Sequence, residues 1–312
     1  ALAKVAGSKE IIPARITFVD IAGLVRGASK GEGLGNQFLA NIRDCDAVAF
    51  VARCFIDDDI THVEGKVDPL ADLETIETEL MLADLESLEK RVVNLEKRAK
   101  TGDKESIQTL RLAQLALTEL NAGRSARKAV VPAEDDKAWR MLQLLTSKPA
   151  LYVSNVDEAS AATGNELSNQ VAERAKRDGA DHVVISAQIE SEIAMLDPAE
   201  RAEFLETLGL TEPGLVTLIH AGYKLLGLQT YFTVGPKEAR AWTIQKGWTA
   251  PQAAGVIHGD FEKGFIRAET IAYEDFVKFN GEVGAKEAGK MRLEGKEYIV
   301  KDGDVMLFRF NA

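Results

Sequence analysis

The chain has 312 residues, of which 46% are hydrophobic and 28% charged, with a formal net charge of −11. This composition is typical of a globular protein of two or three domains, and the acidic balance argues against indiscriminate nucleic-acid binding. No run of about 18 apolar residues is present, so the sequence predicts no membrane partner. The two cysteines, Cys45 and Cys54, lack metal-ligand spacing and favour a reduced, cytoplasmic location.

Four short apolar runs predict buried strands, because nearly continuous hydrophobicity is typical of parallel strands that are covered on both faces. Between the first two runs, Phe38, Leu39 and Ile42 recur at helical spacing. This alternation predicts an α/β sheet with ligands beyond the carboxyl ends of its strands. The runs are residues 15–20, 47–55, 150–157 and 182–186.

Residues 71–121 predict two long antiparallel helices. Apolar residues from Met81 to Ala99 recur at alternating spacings of four and three, and the seam resumes from Leu110 to Leu120 after a glycine-containing turn. Such heptad spacing is typical of coiled coils. Two interpretations stay open, a solvated structural hairpin and a dedicated partner-binding arm. In both, the hairpin interrupts the α/β domain.

Residues 229–312 differ in character. They carry 12 basic and 12 acidic side chains, so the remainder of the chain holds the whole net charge of −11. Asp302–Gly303 is typical of a hairpin turn, and one helix is predicted over residues 250–261. These features predict a small α+β module with a partner of its own. Its strand candidates are residues 231–235, 239–244, 264–271, 297–300 and 304–310.

The glycine-rich stretch after the first predicted strand is the main functional motif. The strand ends at Asp20, whose carboxylate is suited to hold Mg²⁺ through water. The backbone N–H of Gly23 is suited to meet a γ-phosphate, because glycine has no Cβ to block a close approach. The further glycines up to Gly35 would let the segment order on a triphosphate and relax after hydrolysis. A flexible surface loop is the alternative that this motif alone leaves open.

Two later strand ends support a nucleotide site. Asn155–Glu158 and Ser186–Gln188 follow the third and fourth predicted strands, which are the places where P-loop GTPases read the base. We expect Asn155 to contact the edge of the base, and Val156 and Phe55 to flank its faces. Plain core packing is the alternative for Phe55. The pocket would be closed by the backbone of Ser186, Ala187 and Gln188.

The 28 residues from Asp20 to Ala47 resemble the signature of the Obg-related GTPase family. With the sequence NVDE at 155–158, the heptad arm and the C-terminal module, the chain resembles the YchF subfamily of Obg-like ATPases, and its C-terminal part resembles a TGS domain of β-grasp type. The resemblance implies an α/β P-loop NTPase fold with an Obg-type G domain. The implied boundaries are 1–66 and 139–228 for the G domain, 67–138 for an inserted antiparallel helical coiled coil, and 229–312 for the TGS domain.

The phosphate-binding motif GxxxxGK[ST] does not occur in the chain. In the family it precedes the present Ala1, together with the first strand of the G domain. We therefore expect this chain to lack both elements, and these residues alone to bind ATP poorly and to be inactive.

The base-reading motif departs from the NKxD of GTPases, since Val156 replaces the lysine and Glu158 the aspartate. Adenine lacks the two donors of guanine that the aspartate would bind. The resemblance implies that this form of the base-reading motif marks a preference for ATP over GTP.

Leu24 stands where many GTPases carry a glutamine that orients the attacking water. The resemblance implies a catalytic role for His62, and a solvated loop histidine is the alternative.

The expected function is that of a cytoplasmic, ribosome-associated switch that hydrolyses ATP to ADP and phosphate with Mg²⁺, in translation or stress regulation. Resemblance to TGS domains implies contact with RNA or with the ribosome, as the large subunit or the 70S particle. A GTPase of the same fold and a partner-binding scaffold with nucleotide as a structural ligand are the alternatives. The basic side chains available for RNA contact, or for ordinary surface charge, are Lys286, Lys290, Arg292, Lys296 and Lys301.

Overall fold

The computed structural model describes residues 1–21, 34–57 and 65–311, with residues 34–38 described by their backbone alone. It divides into two compact units, Phe18–Leu225 and a second unit formed by Ala1–Thr17 with Leu226–Ala312. The chain opens with helix α1 (Leu2–Ala6) and strand β1 (Glu10–Ile12). In the described residues, no helix combines the length and the apolar character needed to cross a membrane.

The unit 18–225 is built on three parallel strands in the order β2-β3-β4. The central strand is buried at every residue except its last, which agrees with its continuous hydrophobicity. Three of the four predicted strands are thereby confirmed. In chain order the elements of the unit are α2 (Leu34–Asp44), β2 (Val48–Arg53), α3 (Pro69–Ala99), α4 (Lys104–Asn121), α5 (Asp136–Arg140), β3 (Ala150–Asn155), α6 (Glu166–Asp178), β4 (Asp181–Ile185), α7 (Ala187–Met195), α8 (Pro198–Thr207) and α9 (Gly214–Leu225).

The prediction of a strand over residues 15–20 is wrong for this structure. The segment has no regular secondary structure, and Phe18 and Val19 are 48% and 52% exposed. A strand is stable only beside a neighbour that shares its ladder hydrogen bonds. Among the described residues, no segment pairs with 15–20.

The predicted helical arm is confirmed by α3 and α4. Helix α3 runs for 31 residues and is capped at its start by Asp68, whose side chain accepts a hydrogen bond from Ala71 N at 3.1 Å. Pro69 follows in the first turn, where its missing N–H costs nothing. The two helices bury a shared apolar seam that includes Leu88, Leu112 and Ala116.

A buried carboxylate fastens the arm to the sheet. Asp84 of α3 is 1% exposed and accepts hydrogen bonds from Leu145 N and Thr146 N, both at 2.8 Å, and from Thr146 Oγ1 at 2.7 Å. Burial raises the pKa of Asp84 even though these hydrogen bonds act in the opposite direction. We call this set of contacts the Asp84 clamp. It joins α3 to the segment that leads into β3.

The second unit contains a six-stranded sheet in the order β1-β6-β5-β9-β7-β8. One core cluster includes Tyr231, Ile244 and Phe308, and another includes Leu2, Phe276 and Val305. Its C-terminal elements are β5 (Leu228–Val234), β6 (Glu238–Gln245), α10 (Ala250–Ile257), α11 (Gly259–Lys263), β7 (Phe265–Ala272), α12 (Tyr273–Lys278), α13 (Glu282–Glu287), β8 (Arg292–Glu294) and β9 (Asp304–Phe310).

Residues 1–17, which the sequence analysis assigned to the G domain, cluster instead with this second unit. Strand β1 pairs in parallel with β6, with Ile11 opposite Ala239. Leu2 of α1 is buried in the same core as Phe276. The local sequence of a three-residue strand does not indicate which strand it pairs with, and here the partner lies more than 200 residues away.

Three details of the C-terminal module differ from prediction. The expected helix over 250–261 is divided at His258, whose backbone is extended and whose Nδ1 accepts a hydrogen bond from Asp260 N at 3.2 Å. Residues 297–300 form only an isolated bridge between Ile299 and Thr249. The turn at Gly303 (φ 84°) does not join paired strands, since β8 and β9 both pair with β7.

Candidate nucleotide-binding site

The carboxyl ends of β2, β3 and β4 lie side by side. Just beyond β2, Cys54 N donates a hydrogen bond to Asn155 O at 2.8 Å, and just beyond β3, Val156 N donates to Ile185 O at 2.9 Å. These two bonds extend the parallel ladder past the ends of the strands. The loops that follow all three strands therefore leave the sheet at one edge, where α/β proteins bind their ligands.

Asn155 connects two of these loops. Its Oδ1 accepts a hydrogen bond from Ala187 N at 2.9 Å, at the start of α7. The buried Ser186 caps the same helix by accepting a hydrogen bond from Ile189 N at 3.5 Å. Ala187 and Gln188 are exposed beside it. The structure thus brings together Asn155 with the Ser186–Gln188 loop.

Val156 does not fit the role that the sequence suggested for its side chain. It is 2% exposed and belongs to the hydrophobic core that also contains Cys54 and Tyr152. A side chain enclosed by the core offers no face to a ligand. The expectation that Val156 flanks a base is therefore corrected to a packing role beneath the loop.

Phe55 lies beyond the tip of β2 and is half-buried. The Arg53 guanidinium stands 4.7 Å from the centroid of its ring, and Arg53 Nε donates a hydrogen bond to Phe55 O at 3.2 Å. This contact is a cation–π interaction, which fixes one face of the ring. The aromatic ring is thereby held near the strand ends, outside the fully buried core.

The two carboxylates of the NVDE sequence have different surroundings. Asp157 caps a short 3₁₀ helix, since its Oδ1 accepts a hydrogen bond from Ser160 N at 3.0 Å. Glu158 is exposed, and its side chain makes no hydrogen bond or ion pair with the described parts of the chain. Local capping thus occupies Asp157 and leaves the carboxylate of Glu158 available.

Of the predicted metal and catalytic residues, the structure describes only Asp20. The Asp20 side chain is exposed, and the next residue, Ile21, packs against the core that contains Cys54 and Val156. The backbone at Asp20 therefore reaches the α/β core. Gly23, Leu24 and His62 lie outside the described residues.

Two positioning residues were missed by the sequence analysis. Asn165 Nδ2 donates a hydrogen bond to Cys54 O at 2.7 Å while its Oδ1 caps α6, so it secures the end of β2. Glu190 of α7 accepts hydrogen bonds from Gly214 N at 2.6 Å and Leu215 N at 3.0 Å, at the start of α9. An asparagine before a helix is a recognisable capping signal, whereas no sequence pattern indicates the partner of Glu190.

Two other titratable groups near the sheet are structural. Ser154 Oγ and His182 Nε2 lie 2.8 Å apart, and burial lowers the pKa of His182. Burial also raises the pKa of the Cys54 thiol, which keeps it protonated and unreactive. Both side chains therefore support the packing of the strands.

Polar loops at the carboxyl ends of adjacent parallel strands, downstream of the DxxG sequence from Asp20 to Gly23, define an α/β domain of the P-loop GTPase-like class. A family model described as a 50S ribosome-binding GTPase matches residues 4–86. A second, YchF-GTPase_C, described as a protein of unknown function (DUF933), matches residues 228–311. The chain belongs to the YchF family of Obg-like P-loop NTPases.

Relatives in bacteria match the whole chain. "Ribosome-binding ATPase YchF" of Haemophilus influenzae is 57% identical over 312 residues, covering 100% of this chain and 86% of the relative. The protein of the same name in Bacillus subtilis is 52% identical over 313 residues, again with 100% and 86% covered. The solved structure of the Schizosaccharomyces pombe YchF GTPase superposes with a TM-score of 0.84 at 35% identity, covering 99% of this chain and 84% of that one.

Proposed function

We propose that the protein is a ribosome-binding ATPase, in which hydrolysis of ATP to ADP and phosphate serves as a conformational switch in translation or stress regulation. The names of the bacterial relatives support ATP hydrolysis and ribosome binding. The observation that carries the proposal is the bond from Ala187 N to Asn155 Oδ1, which fixes two base-reading loops against each other.

Adenine selection is proposed for the loop that follows β3. Asn155 would contact the edge of the base, the Phe55 ring would flank one face, and the Ser186–Gln188 loop would close the pocket. Glu158 is exposed where guanine-reading sites carry an aspartate, and adenine lacks the donors that such an aspartate binds. We propose ATP as the preferred substrate on this ground.

Metal and catalytic roles are proposed for the glycine-rich stretch and the loop after β2. The exposed Asp20 carboxylate suits a Mg²⁺ ligand that acts through water, because Mg²⁺ keeps several waters and takes its other oxygens from phosphates. Gly23 would meet the γ-phosphate, and His62 would act in hydrolysis where Leu24 is unable to hold water.

Residues 229–312 are proposed to be a TGS domain of β-grasp type that contributes to ribosome or RNA contact. Lys286, Lys290, Lys296 and Lys301 are exposed and fit this role. Arg292 does not, because its guanidinium is bound by Glu294 at 2.9 Å and by Asp304 at 3.2 Å. We therefore restrict the proposed contact to the lysines. We also propose residues 67–138 as an insertion in a discontinuous G domain.

Ribosome-stimulated turnover tests this function on the intact protein. ATP hydrolysis is measured with and without ribosomes, and ribosome binding is followed by sedimentation at rising salt. We expect stimulation and a salt-sensitive complex. Equal turnover with and without ribosomes would contradict this function and favour the alternative, a partner-binding scaffold with nucleotide as a structural ligand.

GTP hydrolysis is the second candidate. The Schizosaccharomyces pombe structure and the family model at residues 4–86 both carry the word GTPase in their descriptions. Competition between ATP and GTP for binding to the protein distinguishes the GTPase from the ATPase function.

A further inference from the structure

A large cleft opens beside the helical arm, away from the candidate nucleotide site. It has a volume of about 910 Å³ and lies between α3, the loop after α4 and the end of α6. Asp178 at its edge precedes the start of β4, whereas Asn155 and Ser186 follow the carboxyl ends of strands. We call it the arm cleft. Its walls all belong to the unit 18–225.

The wall formed by α3 includes an apolar strip beside its polar residues. Leu82 is 41% exposed there, and its neighbours Met81 and Leu85 are half-buried. Single exposed leucines are common on protein surfaces, but these three form one strip inside a concavity. Methionine adapts easily to different apolar partners. The wall is therefore suited to an apolar strip on another molecule.

The opposite wall carries positive charge that the cleft does not neutralise. Arg177 is exposed, and its side chain makes no hydrogen bond or ion pair with the described residues. Lys128 Nζ donates a hydrogen bond to the main-chain oxygen of Asp178 at 2.7 Å, which is an uncharged acceptor. Arg124 is also exposed, although Glu119 pairs with it at 2.6 Å. Neither Arg177 nor Lys128 forms an ion pair with a carboxylate within the described structure, although the charge of Lys128 also acts on the nearby Asp178 carboxylate.

Most carboxylates of the arm cleft are already bound by its own arginines. Glu77 is buried and paired with Arg127 at 3.1 Å and with Arg174. Asp178 is paired with Arg174 at 2.8 Å. Glu74, on the exposed rim, is the exception. Because these carboxylates are paired with Arg127 and Arg174, the side chains of Arg177 and Lys128 are available to an acidic group of an external partner.

We propose that the arm cleft docks an acidic amphipathic helix of a partner protein. Its apolar face would lie on the Leu82 strip, and its carboxylates would meet Arg177 and Lys128, as in other helix-in-groove complexes. The cleft wall from Glu74 to Leu85 is about 17 Å long at 1.5 Å per residue, which matches about three helical turns. RNA fits less well, because none of the lining residues is aromatic and bases find no stacking surface.

Peptide binding tests the proposal. The probe is a fluorescent helical peptide of about 15 residues with leucines at i, i+3, i+4 and i+7 and glutamates elsewhere. A matched peptide with lysines in place of the glutamates and a labelled oligouridine are the comparisons, and fluorescence anisotropy gives the dissociation constants. We expect the acidic peptide to bind at least about tenfold more tightly than either comparison, with an affinity that falls as salt rises.

Surface variants locate the binding site. Leu82→Asp should weaken the acidic peptide about tenfold or more, and Arg177→Glu several-fold, because each places a negative charge against it. Ile107→Asp is the matched control, since Ile107 is 47% exposed on α4 and does not line the cleft. Leu82→Ala gives a milder second test should Leu82→Asp fail to fold by circular dichroism.

Three results would overturn the proposal: tighter binding of the lysine peptide, tighter binding of oligouridine, or an affinity that neither Leu82 variant changes. ATP turnover is not involved in this assay, so its outcome is independent of the proposed function.

Discussion

Replacing Asp84 by asparagine should strongly destabilise the unit 18–225. Asp84 Oδ1 accepts one hydrogen bond and Oδ2 accepts two, at distances of 2.7–2.8 Å, in a site that is 1% exposed. Asparagine retains the shape but turns one acceptor oxygen into an NH₂ group. With Oδ1 kept as the acceptor for Leu145 N, that NH₂ faces Thr146 N and Thr146 Oγ1, which are themselves donors.

The magnitude follows from the donors that lose their acceptor. A buried donor without a partner costs about 1–3 kcal/mol, and the Thr146 hydroxyl is free to turn away while the Thr146 N–H is not. The cost of burying the native charge, which raises the pKa of Asp84, offsets part of the loss. We expect a net loss of about 2–3 kcal/mol. For a unit of this size that lowers Tm by roughly 4–12 °C.

Thermal unfolding followed by circular dichroism at pH 7 measures this loss. Glu89→Gln is the matched control, because Glu89 is exposed on the same helix and should change stability by no more than about 0.5 kcal/mol. A Tm for Asp84→Asn that equals that of the control would refute the Asp84 clamp as a source of stability.

Three further variants probe other parts of the molecule. Burial raises the pKa of Asp178, but hydrogen bonds from Tyr152 and Arg174 outweigh it, so the folded-state pKa lies below the ordinary 3.8. The ionised form of Asp178 therefore adds stability above about pH 4, and this stability is lost as pH falls through the lowered pKa. Asp178→Asn should therefore reduce the loss of unfolding free energy between pH 4 and lower pH. A pH profile of stability equal to that of the parent protein would contradict this. Glu190→Ala removes the acceptor for the first amides of α9 and should cost about 1 kcal/mol in urea unfolding; an unshifted midpoint would count against that cap. His62→Ala should lower ribosome-stimulated turnover at least about tenfold with little change in ATP affinity, and undiminished turnover would remove His62 from the proposed chemistry.

The elements that the sequence predicted well are those whose signal is local. Residues 150–153 are continuously apolar because β3 is buried between its neighbours and the helices, and the heptad spacing of residues 71–121 reports the seam between α3 and α4. Strand pairing is not local. Residues 15–20 also contain an apolar run yet have no partner strand in the described structure, while the short β1 pairs with β6 across the chain.

In the candidate site, too, the features with a local sequence signal were predictable and those that depend on distant parts of the chain were not. The strand ends at Asn155 and Ser186 followed from the apolar runs before them, so their proximity was foreseeable. The burial of Val156 was not, because the sequence does not reveal which way a residue faces just after a strand ends. Asp84 and Glu77 lie in the predicted coiled coil, where no local pattern indicates that partners distant in the chain bury both.

Nucleotide competition on the intact protein tests the central claim most directly. A fluorescent ATP analogue is bound in the presence of Mg²⁺ and displaced by unlabelled ATP or GTP, with the parent protein and with Asn155→Ala. If the loops at Asn155 and Ser186 select adenine, ATP should displace the analogue at a concentration at least about tenfold below that of GTP, and Asn155→Ala should narrow this gap. Displacement by GTP at the lower concentration would contradict the account.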